Sequence, residues 1–201
     1  MPSFTHFRPA QPVLVAHFFL SHAAPLRRDF GAAGRARDRS RRAAARLRRD
    51  CRHQLRRRRR HALARDLGFC RVVDNSMDAS SDRDFAATFL YACAMTMVHL
   101  SRLAEDLIIF CGDEHRFFEL SDALSTGSSM MPQKKNPDPL ELVRGQDRPR
   151  DRTSRRRCCT TIKGCRPGYN KDLQEDKEAV FGAEDTLAGC LAVVAARSSA
   201  A

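Results

Sequence analysis

The sequence predicts an all-α fold, a bundle of long helices interrupted by poorly ordered arginine-rich segments, and three observations carry that expectation. Between Ser81 and Phe110 the positions Phe85, Phe89, Cys93, Thr96, Leu100, Leu103 and Leu107 recur at steps of three and four, the spacing that lines side chains along one helix face. Val180 to Ala196 is apolar enough to be buried on more than one side of a helix. No alternating apolar and polar run, the mark of a half-buried strand, competes with these stretches.

Gln11-Pro12 followed by Val13, Leu14, His17, Phe18 and Ser21 reads as the first helix. Proline suits its first turn, where the missing N–H has no helical partner to lose, and Pro25 should interrupt its end. Residues 27–60 hold 16 Arg against Asp29, Asp38 and Asp50. After Phe30 only Leu47 and Leu55 are large and apolar, too few for the stripe that docks a helix on a core, so the block is expected to be poorly packed. Ser81 with Asp84 resembles a capping box at the start of the long helix. At about 28 residues and 1.5 Å per residue this helix would run about 40 Å, a length that suits an extended bundle. Asp138-Pro139 ahead of Leu140, Glu141, Leu142 and Val143 starts another helix, and Val180 to Ala196 supplies the last.

The chain has 201 residues, room for one compact domain or two. No window approaches the roughly 18 to 20 uninterrupted apolar residues of a membrane span. Arg8 stands alone before the first apolar stretch, so no secretory leader is expected, and a soluble, cytoplasmic protein is. Eight cysteines form no C-x-x-C pair and are read as small hydrophobes or incidental thiols. The net charge of +12 is concentrated in residues 27–60 and in residues 144–157, where seven Arg face Asp147 and Asp151. Such blocks admit an arginine-rich arm that folds on nucleic acid, although no aromatic stacking partner lies between Phe30 and Phe69.

Between the long helix and Asp138 lies STGSSMMPQKKNP, Ser125 to Pro137. By composition it is a polar turn-rich connection; its order is more specific. GSSMMPQKKN fits the GSSxMPxKxN loop of the fumarase and aspartase superfamily at every fixed position, and the QKKNPD ending resembles the argininosuccinate lyase family within it. FTHFRPAQP, Phe4 to Pro12, is similar to that family's YTHLQ-x-AQP segment, and YNKDLQEDKE, Tyr169 to Glu178, resembles its late substrate-contacting segment. NSMDASSDRDF from Asn75 and HLSRLAED from His99 are also similar to family stretches.

The resemblance implies reversible elimination of fumarate from argininosuccinate, releasing arginine, in a homotetramer whose active sites each draw on three subunits, with no cofactor and no metal. Such a reaction needs a base for the carbon-bound proton, an acid for the departing guanidino nitrogen, and positive charge near the carbanion. Ser128 then matches the catalytic loop serine, Lys134 a lysine that stabilises the serine oxyanion or the carbanion, and Asn136 a substrate-binding asparagine. His6 matches the family histidine, oriented by Glu141, with Thr5 beside it as a substrate contact. The resemblance leaves open which of Ser128 and His6 is base and which acid. Tyr169, Gln174 and Lys177 match the late substrate contacts, the lysine being suited to a carboxylate. Read without the family, His6 is a surface or capping residue and NKDLQEDKE a solvated charged face.

The resemblance covers residues 1–26, 61–145 and 160 to about 194, a partial central helical-bundle domain within 1–201. It implies that the family's N-terminal region and C-terminal domain are missing. The gaps, 27–60 and 146–159, are the arginine blocks; because family spacing is nearly kept across them, a compensated frameshift in GC-rich DNA is the simplest origin. Arginines where a bundle expects apolar side chains forfeit about 1.5–3 kcal/mol per lost buried residue, so the chain as written is expected to have low or no activity. The other readings are a related lyase with another fumaryl substrate, the nucleic-acid binder and a non-catalytic structural relative.

Overall fold

The computed structural model describes residues 1–43, 55–146, 158–164 and 170–198. Its spine is a helix, α4, Asp84–Cys111, whose 28 residues match the expected length. The buried stripe is offset from the one read in the sequence: Cys93 and Leu100 are shared, but Ala86, Leu90, Met97 and Ala104 complete the core, while Phe85, Phe89, Thr96, Leu103 and Leu107 are only partly buried beside it. The start differs from the expected capping box. Ser81 ends a short helix, α3, Ser76–Ser81, its hydroxyl donating to the carbonyls of Met77 and Asp78. The first N–H of α4, from Asp84, is taken instead by the Asp82 carboxylate at 2.8 Å, an aspartate serving where the serine was expected.

The first helix is longer than its sequence suggests. α1 spans Val15–Ser40 and runs through Pro25. An interior proline costs a helix about 3 kcal/mol in isolation, but α1 lies along α4 over much of its length. Two histidine–aspartate contacts join it there: His22 Nε2 lies 3.0 Å from Asp106 Oδ2 and His99 Nδ1 lies 2.6 Å from Asp29 Oδ2. Leu26 packs on the α4 core, and Asp29 and Ala36 are buried. Residues 27–40 are therefore an ordered bundle helix, which corrects the expectation of poor packing there. Their arginines point outward while small residues and one aspartate face in, so no long apolar stripe is needed. The rest of the block contributes α2, Leu55–Asp66; positions 44–54 lie outside the described residues, as do 147–157 of the second block.

Gln11 and Pro12 belong not to α1 but to a hairpin, β1 Pro2–Thr5 against β2 Arg8–Pro12, antiparallel with Thr5 opposite Arg8. Prolines in β2 fit a two-stranded sheet, where each strand has an open edge. A second, parallel pair joins β3 Arg42–Ala43 to β4 Arg71–Val72. These small sheets leave the all-α character intact.

α5, Asp138–Gly145, starts where Asp-Pro placed it, with proline in the first turn. The last helix, α6, spans Asp176–Ser198, preceded by a 3-10 turn at Lys171–Glu175. Two clusters form the core. One joins Ala86, Leu90 and Cys93 of α4 to Cys158, Ala179 and Ala183; the other joins Met97, Leu100 and Ala104 to Leu140, Val143 and Cys190. Cys93, Cys158 and Cys190 are buried and pack as small hydrophobes, and burial pushes the Cys158 and Cys190 thiols above their ordinary range. Leu100 is 0% exposed, so Leu100→Ala should lower unfolding free energy by about 2–5 kcal/mol through lost transfer energy and a residual cavity. A urea midpoint unchanged from the parent chain would contradict this placement of the core.

α6 departs from one expectation. Its buried positions Ala179, Ala183 and Cys190 share one side, while Phe181 and Leu191 are 59% and 42% exposed, so a single chain buries one face only. The helical stretch Lys171–Ala196 also contains an 18-residue window of mean hydropathy 1.5, 17% buried, long and apolar enough by those measures to cross a membrane. Glu184 and Asp185 interrupt it, which is why a search for uninterrupted apolar residues passed over it.

Candidate active site

The hairpin that carries Thr5 and His6 is docked by aromatic rings. Phe4 stands edge-on to His115 with centroids 4.9 Å apart and lies 6.3 Å from Phe110 and 6.0 Å from Phe117. Phe110 is in the last turn of α4, so the hairpin sits at the C-terminal end of that helix. Edge-to-face pairs of this kind contribute about 0.5–1.5 kcal/mol each beyond their burial. The turn itself consists of His6 at φ 53° and Phe7 at φ 57°, two left-handed residues as in a type I′ hairpin turn. A non-glycine residue pays steric cost there, and Phe7 is 75% exposed and gains nothing by burial. Phe7→Gly should therefore raise stability by about 0.5–1 kcal/mol. A lower melting temperature for that variant would show that the turn is held by its phenylalanine.

The STGSSMMPQKKNP loop is closed at its base. Thr126 and Asn136 exchange backbone hydrogen bonds at 3.2 and 2.9 Å, and the Thr126 hydroxyl pairs with the Asp138 carboxylate. Lys135 ties the loop to the chain before it, 2.7 Å from Asp122 and 3.1 Å from Glu119. The hydrogen bond and charge of Lys135 hold the Asp122 carboxyl below its ordinary range, and Asp122 and Glu119 in turn raise the lysine. Within the loop the Ser128 hydroxyl is half-buried and accepts the Met130 N–H at 3.3 Å. The Lys134 side chain is exposed, its backbone N–H donating to the Met131 carbonyl at 3.0 Å. Ser128 accepts one backbone N–H and keeps part of its surface open, Lys134 of the same loop is exposed, and the loop stem fixes where the serine's backbone stands.

Glu141 is exposed in the first turn of α5, lining a pocket of about 410 Å³ with Asp138, Leu142, Arg144 and Gly145. Arg144 donates to Glu105 at 2.7 Å, which with the Glu141 charge holds its guanidinium above its ordinary range. No hydrogen bond or ion pair joins His6 to Glu141 among the described residues of this chain.

Gln174 and Lys177 sit elsewhere. They flank Asp176, which the guanidinium of Arg83 holds at 2.5 Å, and Arg83 immediately precedes α4. Phe4 marks one end of α4 and Asp176 the other, a separation of about 40 Å along the helix. The structure thus divides the residues named from the sequence. Thr5 and His6 dock at the C-terminal end of α4, and the chain runs from that end through Glu119 and Asp122 into the loop of Ser128, Lys134 and Asn136 and on to Glu141. Gln174 and Lys177 belong to the other end. Tyr169 lies outside the described residues. Asp138, which holds the loop stem, and Lys135, which tethers it, were not singled out by sequence; QKKNPD contains both, but only the fold shows what they touch.

A family described as lyase matches residues 1–148 of this sequence. The chain belongs to the lyase family. Among its curated relatives, the argininosuccinate lyase of Roseiflexus sp. strain RS-1 is 47% identical over 206 residues, covering 97% of this chain and 42% of the relative. That of Solibacter usitatus strain Ellin6076 is 43% identical over 209 residues, covering 98% of this chain and 42% of the relative. The lyase chain thus spans about two fifths of the length of these relatives, and the aligned stretch takes in both arginine blocks. A solved fumarate lyase:delta crystallin from Brucella melitensis superposes with a TM-score of 0.78 at 20% identity, over 98% of this chain and 44% of that one, which shows the shared lyase fold.

Proposed function

We propose that the protein to which these residues belong eliminates fumarate from argininosuccinate to give arginine, as a cytoplasmic homotetramer. The observation that supports this best is the stem-closed loop, with Ser128 half-buried and Lys134 exposed on a segment that fits the fumarase and aspartase superfamily loop at every fixed position and ends in the argininosuccinate lyase-like QKKNPD. Curated relatives of that name, 43% and 47% identical, favour the same reading.

In this reading Ser128 and His6 exchange the two protons of the elimination, one at the carbon next to a carboxylate and one at the leaving nitrogen. Lys134 supplies positive charge to the oxyanion or carbanion, Asn136 and Thr5 hydrogen-bond the substrate, and Tyr169, Gln174 and Lys177 hold its far end. The 40 Å length of α4 keeps the Lys177 end of one chain from its own His6, so a complete site would need residues from different copies. The unpaired state of His6 and Glu141 within one chain agrees with a partnership made between copies. The exposed Phe181 and Leu191 of α6 would be covered by the same assembly. The nucleic-acid alternative loses support because residues 27–40 are used as a bundle helix.

The test is expression of this coding region together with its flanking sequence, followed by measurement of fumarate release from argininosuccinate and of mass by light scattering. Fumarate release by a tetramer is expected from the extended product, and little or none from residues 1–201 alone. An extended product that forms tetramers yet leaves argininosuccinate intact would overturn the substrate.

A further inference from the structure

We infer that Arg83 is a positioning residue that keeps Lys177 available for a substrate carboxylate by engaging Asp176; the inference rests on the reading of Lys177 as a substrate contact. Asp176, the first residue of α6, is 7% exposed. Its carboxylate faces two cations on its two oxygens. On Oδ2 the Arg83 Nε donates at 2.5 Å, while a second guanidinium nitrogen donates to the Asp82 carbonyl at 2.7 Å and fixes the orientation of the group. On Oδ1 the Lys177 Nζ stands off at 3.8 Å, and that buried oxygen has no hydrogen-bond partner among the described residues. The Lys177 side chain is 65% exposed.

The contacts are unequal for a physical reason. The arginine pair is partly buried and charge-assisted, at full hydrogen-bond distance, whereas the lysine interacts through space with an oxygen it does not touch. Engaging the carboxylate with Arg83 removes most of the field that would draw the ammonium inward. Without the guanidinium, an orphaned buried carboxylate would have Lys177 as its nearest cation, and the short additional approach would turn the lysine from solvent to the protein. The turn is otherwise anchored, since Asn170 donates to the Ser80 carbonyl at 3.4 Å and accepts from Leu173 N–H at 3.2 Å. Arg83 therefore acts on the direction of one side chain.

The experiment compares the chain with Arg83→Gln, Asp176→Asn and the double variant. The acetylation rate of the Lys177 amine is read by peptide mass spectrometry, with and without fumarate, and folding is followed by circular dichroism. Arg83→Gln should slow acetylation about two- to fivefold, the size of a newly made, partly exposed ion pair. The double variant should restore or exceed the parent rate, because no carboxylate remains to hold the lysine. A purely structural role for Arg83 predicts that the double variant behaves like Arg83→Gln, and that result, or an unchanged rate in Arg83→Gln, overturns the inference. Should Arg83→Gln fail to fold, Asp176→Asn alone decides: because Arg83 already engages the carboxylate in the parent, an amine rate changed by less than about twofold supports the inference, and an amine freed by more than that overturns it. Absence of fumarate protection in the extended, assembled protein, with the rates still ordered as expected, would instead remove the substrate reading of Lys177.

Discussion

Ser128→Ala is expected, under the proposed function, to lower fumarate release from argininosuccinate by about 10²–10⁴-fold in the extended, assembled protein, the range that loss of one proton-transferring group costs. The hydroxyl has a single contact among the described residues, the Met130 N–H at 3.3 Å, and the loop is closed by Thr126, Asn136 and Asp138 rather than by Ser128. Removing one half-buried oxygen should therefore leave the melting temperature within a degree or two while activity collapses. That separation makes the prediction informative, since a serine holding the loop together would lower both. A variant retaining more than about a tenth of parent activity would place proton transfer on another group, with His6 as the next candidate.

The second large effect is on stability. His99 and Asp29 are joined at 2.6 Å with side chains 12% and 8% exposed, and they connect α4 to α1 across a separation of 70 positions. His99→Ala would leave the Asp29 carboxylate buried without its partner, and breaking a buried pair in this way costs about 3–5 kcal/mol. Against a usual total of about 5–15 kcal/mol that is enough to loosen α1 from the bundle. Replacing both residues with leucine should recover much of the loss, because two well-packed apolar side chains can substitute for a buried pair. Chemical denaturation of the two variants and the parent measures the effect; a His99→Ala unfolding free energy within about 1 kcal/mol of the parent would mean the aspartate finds another donor.

The site was legible where the chain concentrates its chemistry in one run. Gly127 to Asn136 could be matched to a family loop because its residues are contiguous and their order is distinctive, and α5 could be placed because Asp-Pro directly ahead of Leu140, Leu142 and Val143 is a local helix-start signal. The hairpin was not legible. His6 and Phe7 adopt left-handed conformations that neither residue prefers, and the rings that hold them there come from Phe110, His115 and Phe117, more than a hundred positions away. Arg83 and Asp176 each lay inside a recognised segment, yet nothing in either segment says that they meet.

The sequence by itself determined the helical period of α4, the start of α5, the loop that carries Ser128 and the lyase kinship of the chain, because each is written in neighbouring residues and local propensity. Tertiary structure alone decided that α1 continues through Pro25 into the arginine block. A proline and a run of arginines argue against a helix locally, and only packing along α4, with Asp29 on His99 and His22 beside Asp106, outweighs them. It also decided that Lys177 and His6 fall at opposite ends of a 28-residue helix, a separation fixed by helix rise and by which end each segment docks on.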